Sequence, residues 1–179
     1  MIKSRRCAAL GVLALCLLTM CALPAIAKRA PDPALKTLDG QPRRLSGLRG
    51  KAVVVNFWAT WCGPCQEELP RLTQMAQAYS DKPVSFVFIS IDAAKDREKI
   101  PATLGRLHVS LESWVGADTD TLDDFGLGNI VPGTVVLDEK GDIVTRIMGE
   151  ARDEDVRAAL DWLLSGKTGQ APSPLIKRY

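Results

Sequence analysis

The chain holds a Val-rich, largely apolar run without alternation, Ala52-Val53-Val54-Val55-Asn56-Phe57, and shortly after it the pair Cys62-Gly63-Pro64-Cys65. A helical pattern follows at once, with Leu69, Leu72, Met75, Ala76 and Tyr79 on one face of Gln66 to Tyr79. An apolar run without alternation reads as a central strand buried on both faces. Strand, short turn and helix in that order call for layers of helix packed on a sheet. Val84 to Ile91 repeats the buried-strand pattern, and Lys95 to Leu107 is polar with periodic apolar positions, so a second crossover helix and a parallel strand pairing are expected. Leu111 to Val115 reads as a short extra strand and Thr119 to Phe125 as a short helix. Thr134–Asp138 and Asp142–Met148 flank Glu139-Lys140-Gly141 and read as an antiparallel hairpin. Asp153 to Leu164 carries Val156, Leu160, Leu163 and Leu164 on one face behind an acidic first turn, which predicts a closing helix. Near the start, Leu35 to Leu48 surrounds Asp39-Gly40, a dipeptide that favours a tight turn, so an N-terminal hairpin leads into the core. The fold class is α/β, a central mixed sheet flanked by helices with an N-terminal β-hairpin extension. Residues 28–164 form its one domain, and residues 165–179, with Gly, Pro and charge but no periodicity, are expected to be a loose tail.

The first 27 residues stand apart. Lys3, Arg5 and Arg6 precede an apolar run from Cys7 to Leu23, and Pro24-Ala25-Ile26-Ala27 has the small-residue pattern of a cleavage site. The reading is an export signal cleaved after Ala27; the competing one is an uncleaved inner-membrane anchor over residues 7–27, since about 18 uncharged residues can span a bilayer. Both send the domain outward and keep the positive end in the cytoplasm. Lipid attachment ranks behind them, because Leu15 and Met20, before Cys16 and Cys21, are large. Removal of the segment leaves 20 basic and 21 acidic residues, a net charge of −1, which offers nucleic acid no electrostatic attraction. It also leaves Cys62 and Cys65 as the only cysteines, too few for a disulfide-stapled scaffold.

Two cysteines separated by two residues at a helix start form a redox pair. Cys62 lies where unpaired backbone N–H groups and the helix dipole favour an anion, so its thiol is expected to ionise below the free-thiol pKa of about 8.5. Cys65, one turn inside, is expected to be more buried. Attack by Cys62 on a target disulfide gives a mixed disulfide, and Cys65 then attacks Cys62 to release the reduced target. A zinc site needs four ligands, and the chain adds only His108, which nothing nearby in sequence pairs with. Cu(I) accepts two soft thiolates, so a Cu(I)-binding or metal-delivery module remains the alternative. No resident cofactor beyond the Cys62–Cys65 disulfide and no metal ligand set is expected. A peroxidase site of the P-x-x-x-T-x-x-C type is absent from the sequence.

The stretch from Gly50 to Cys65, continuing to Glu68-Leu69-Pro70, together with Val131-Pro132-Gly133-Thr134-Val135-Val136-Leu137-Asp138 and Gly141, closely resembles the TlpA/ResA/DsbE-like branch of thioredoxin-fold proteins. The resemblance runs from about Leu35 to the closing helix. It implies a thioredoxin fold and an exported or anchored protein facing the periplasm. It further implies reduction of periplasmic protein disulfides, apocytochrome c among the candidates, with electrons relayed by a membrane protein of the DsbD/CcdA type. It makes Pro132 a cis-proline packed beside the cysteine pair, with Val131 offering backbone groups to an extended substrate peptide. Gly63 and Pro64 shape the pair, and Trp61 shields the site or meets the substrate. Pro70 bends the helix that Cys62 opens and carries no chemical role. A monomer is expected.

Two positions depart from the relatives. Cytoplasmic thioredoxins carry a buried aspartate where this chain has Asn56, which cannot titrate, although the exported branch resembles this sequence there. Several members that reduce apocytochrome c have a glutamate just after the next strand, where this chain has Ala93, which argues against a dedicated cytochrome-maturation role; its neighbour Asp92 is the nearest carboxylate for proton handling, or an ordinary strand-ending turn residue. Gly-Pro between the cysteines resembles the reducing thioredoxins, near about −270 mV, rather than the strong oxidant DsbA, near about −120 mV. The interval from Ile91 to Pro132 also has little room for the large helical insert of DsbA-like proteins. A reductase is expected.

Overall fold

The computed structural model describes residues 29–179, so the signal or anchor read on residues 1–27 lies outside the described residues. The N-terminal hairpin is formed by β1 (Leu35–Lys36) and β2 (Pro42–Arg43), paired antiparallel around Asp39-Gly40. The two buried runs are β3 (Ala52–Trp58) and β4 (Val84–Ser90), paired in parallel from Ala52 opposite Val84 to Trp58 opposite Ser90. Helix α1 (Gly63–Ala78) makes the crossover between them. The polar stretch after β4 is shorter as a helix than its periodicity suggests: a 3-10 turn covers Ala94–Asp96 and α2 covers Lys99–Arg106. The remaining elements are β5 (Ser113–Val115), α3 (Thr119–Asp124), β6 (Gly133–Leu137), β7 (Ile143–Gly149), α4 (Asp153–Leu164) and β8 (Leu175–Arg178). They build one mixed sheet in the order β2-β1-β5-β4-β3-β6-β7-β8.

Strand β3 runs through the centre, parallel to β4 on one side and antiparallel to β6 on the other, and every one of its seven residues is buried. Successive side chains of a strand point to opposite faces. Val54 and Trp58 therefore join the core under α1 and α4 with Leu69, Leu72, Met75, Val156 and Leu160. Val53, Val55 and Phe57 join the core on the other face, where α3 supplies Leu122 and Phe125 packs its ring centroid 5.0 Å from that of Phe57. Burial of a ring such as Phe57 contributes roughly 2–3 kcal/mol. Asn56 shares the parity of Val54 and Trp58, so a polar side chain is delivered into the apolar layer beneath α1. That single placement sets up the site.

The C-terminal residues correct the expectation of a loose tail. Leu175–Arg178 adds β8 to the sheet in parallel with β7, from Leu175 opposite Arg146 to Arg178 opposite Gly149. Three forces hold it. The β7 edge finds hydrogen-bond partners, Ile176 packs against the core, and the Arg178 guanidinium grips the Asp155 carboxylate at 3.0 and 2.8 Å. Four residues of alternation after a Gly- and Pro-containing stretch are too short a pattern to announce this strand. Among the described residues, no helix is long and apolar enough to cross a membrane.

Candidate active site

Strand β3 ends at Trp58, the chain turns through Ala59, Thr60 and Trp61, and Cys62 caps the N-terminus of α1. Pro64 sits in the first turn, where its missing N–H costs nothing and its fixed φ suits a helix. Cys62 and Cys65 are joined as a disulfide, with Cα atoms 5.3 Å apart. The Cys65 amide donates to Cys62 Sγ at 3.2 Å, so a backbone N–H at the positive end of a helix already points at the sulfur that must carry charge. Cys62 retains 5% exposure, whereas Cys65 has none. Attack by an outside sulfur, or on one, is therefore directed to Cys62. Trp61 stands at 66% exposure beside it, and Gly63 and Pro64 are exposed as well.

The Val131–Pro132 peptide bond is cis. Gly133 lies opposite Phe57, so the chain entering β6 at Val131-Pro132 reaches the sheet at the end where β3 leaves it toward Cys62. Register alone thus brings two segments some seventy residues apart to one edge. The Pro132 carbonyl accepts the Gly149 amide at 3.0 Å, and Val131 is half-buried between the two core layers.

Asp92 is buried and fully engaged. Its carboxylate accepts the Thr60 amide at 3.0 and 3.2 Å, the Thr60 hydroxyl at 2.7 Å and the Ser90 hydroxyl at 2.8 Å. It ties the loop that carries Trp61 and Cys62 to the end of β4. Ala93 is exposed at the start of the 3-10 turn and offers no carboxylate. His108 is exposed in the loop after α2 with φ 53°. Among the described residues, no group of three or more His, Cys, Asp or Glu side chains is placed to hold a metal ion.

The residue that reading by sequence passed over is Glu68. It lies three positions after Cys65, on the same face of α1 one turn along, and it is completely buried. Its Oε1 accepts from Asn56 Nδ2 at 3.3 Å, from the Thr134 hydroxyl at 3.4 Å and from the Ala151 amide at 3.2 Å. Asn56 Nδ2 also donates to Thr134 Oγ1 at 3.0 Å, which closes a polar triangle inside the apolar layer. Glu68 Oε2 and Asn56 Oδ1 have no partner. Burial pushes the Glu68 carboxyl up to about 8, a rise that the Ala151 amide and the Arg71 guanidinium only partly offset. Arg71 in turn clamps the loop that presents Ala151, reaching Glu150 at 2.5 Å and Asp153 at 2.8 Å. The signal was present in the helical wheel, where Glu68 falls between Cys65 and Leu72 on the apolar face. Asn56, read as unable to titrate, is the hydrogen-bond partner of a group that does.

Comparison with known proteins agrees with this geometry. The Redoxin family matches residues 25–162. The thioredoxin-like protein YneN of Bacillus subtilis (strain 168) is 32% identical over 75% of this chain and 78% of its own. The thiol-disulfide oxidoreductase ResA of Geobacillus thermodenitrificans (strain NG80-2) is 30% identical over 76% and 77%. The crystal structure of a thiol:disulfide interchange protein of the thioredoxin family from Chlorobium tepidum TLS superposes with a TM-score of 0.66 at 25% identity, covering 79% of this chain and 99% of that one. The chain belongs to the Redoxin family, within the TlpA/ResA/DsbE-like branch of thioredoxin-fold proteins, and is a thiol-disulfide oxidoreductase.

Proposed function

We propose that the protein is exported to the periplasm and reduces disulfides of other proteins there. The observation that carries the reading is the asymmetry of the pair: Cys62 retains a reachable edge at a helix N-terminus, and Cys65 is sealed beside a buried carboxyl. In the reduced protein, the Cys62 thiolate attacks one sulfur of the target disulfide. The other target sulfur leaves as a thiolate and takes a proton. Cys65 then loses its proton and attacks Cys62 Sγ, which restores the Cys62–Cys65 disulfide and frees the second target thiol. Two electrons pass to the target, and a membrane donor of the DsbD/CcdA type returns them.

Glu68 gives the second step its proton acceptor. Burial that raises the Glu68 carboxyl to about 8 makes it a far stronger base than an exposed carboxylate, so it takes the Cys65 proton at a lower cost. The carboxylate that Ala93 does not supply after β4 is thus supplied from α1. Val131, ahead of the cis-proline, presents backbone groups to an extended target segment in the manner of an added strand.

The Cys65→Ala variant tests the reading by stalling the reaction at the mixed disulfide. Periplasmic polypeptides bound covalently through Cys62 and released by a reductant are the expected result. Equilibration of the dithiol with glutathione tests direction: a potential near about −270 mV supports a reductase, and one near about −120 mV overturns it.

A further inference from the structure

Beside Trp61, on the side of α2, an open cleft of about 570 Å³ is lined by Thr60, Trp61, Asp96, Lys99, Thr103 and Arg106. Its charges are unbalanced. Lys99 and Asp96 neutralise each other across 2.6 Å, and the Thr103 hydroxyl donates to the Lys99 carbonyl at 2.9 Å. Arg106 has no carboxylate partner among the described residues; one Nη donates to Gln66 Oε1 at 2.8 Å, and Gln66 Nε2 donates to the Thr60 carbonyl at 2.7 Å. Through that neutral relay the guanidinium is fixed to the loop that carries Cys62, with its charge unspent and other N–H groups free. The flanking turn adds the exposed Lys95, whereas Arg97 and Glu98 line a separate cleft with Lys36 and Val115. Behind the loop, the Asp92 carboxylate is buried and occupied by Thr60 and Ser90. A local positive field next to the nucleophile therefore persists on a domain whose exported form is nearly neutral.

We propose that this cleft receives an acidic side chain of the polypeptide carrying the target disulfide, so that targets with a carboxylate flanking the attacked cysteine react fastest. The inference rests on protein disulfides being the substrate. Arg106 is the specificity-determining residue: its planar fork matches a carboxylate, and the exposed face of Trp61 gives the acidic residue's stem an apolar surface to lie on. Charge arranged this way acts mainly on encounter and on choice of partner.

The test uses pre-reduced protein in single turnover with two synthetic disulfide peptides, identical except that Glu or Lys flanks the cysteines. Each second-order rate constant is taken relative to that for uncharged bis(2-hydroxyethyl) disulfide with the same variant, so a general loss of activity cancels. An exposed ion pair supports a preference of about fivefold for the Glu peptide at low salt, shrinking toward unity at about 1 M salt, where screening extends only about 3 Å. Arg106→Gln is expected to remove most of this preference and Arg106→Glu to reverse it. An equal preference in wild type and Arg106→Glu overturns the inference and leaves the reductase reading standing. Failure of the wild type to reduce any of the three disulfides overturns the reductase reading itself.

Discussion

Replacement of Glu68 by Gln tests the buried carboxyl directly, because glutamine has the size and neutrality of the protonated acid. In the unfolded chain Glu68 titrates near 4.5; in the fold burial raises it to about 8. Between these values the unfolded state releases the proton while the native state keeps it. The native state binds more protons there, so stability falls as pH rises. One pH unit corresponds to about 1.36 kcal/mol for a single group, and the fraction ionised at each end trims the window. From pH 5 to pH 7 the wild type is expected to lose about 2.5 kcal/mol relative to Glu68→Gln. Above pH 8 the difference levels off, since both states are then ionised. Urea unfolding of the oxidised forms of both proteins at pH 5, 6, 7 and 8 reads it. If the two stability curves run parallel across that range, the carboxyl titrates normally and the proton-acceptor role falls with it. A second readout comes from the reaction: the resolving step, followed by release of a mixed disulfide, is expected to lose its dependence on an ionisation near 8 in the variant.

Other positions give sharper structural tests. Gly149 has φ 89°, and a Cβ there would stand 2.5 Å from the Arg178 carbonyl oxygen, so Gly149→Ala is expected to cost about 1–3 kcal/mol and to loosen β8. Carboxypeptidase digestion checks this, and a C-terminus as protected as in the wild type would refute it. Asp92→Ala leaves the part-buried Thr60 amide and the buried Ser90 hydroxyl without their acceptor, an expected loss of about 2 kcal/mol in urea unfolding together with slower disulfide reduction. Unchanged kinetics would show that the Trp61–Cys62 loop holds its place without Asp92.

What reads directly from the chain is what short stretches decide. The apolar run of β3, the turn and the periodic face of α1 fix a strand-turn-helix unit. That unit puts Cys62 at a helix N-terminus whatever the remainder does, because capping and dipole are local. The hairpin of β6 and β7 follows from turn residues between β-branched runs, and the N-terminal hairpin from the Asp39-Gly40 turn.

Only the tertiary structure decides which polar groups lose water and what they meet there. Glu68 becomes a weak acid because Asn56 of β3, Thr134 of β6 and the Ala151 amide converge on it from elements that sequence separates. Asp92 becomes an anchor because the chain returns Thr60 to the end of β4. Leu175–Arg178 becomes a strand because β7 offers an open edge and Asp155 a carboxylate. Desolvation and pairing are properties of surroundings assembled over long range, whereas helix, strand and turn preferences reside in a few adjacent residues.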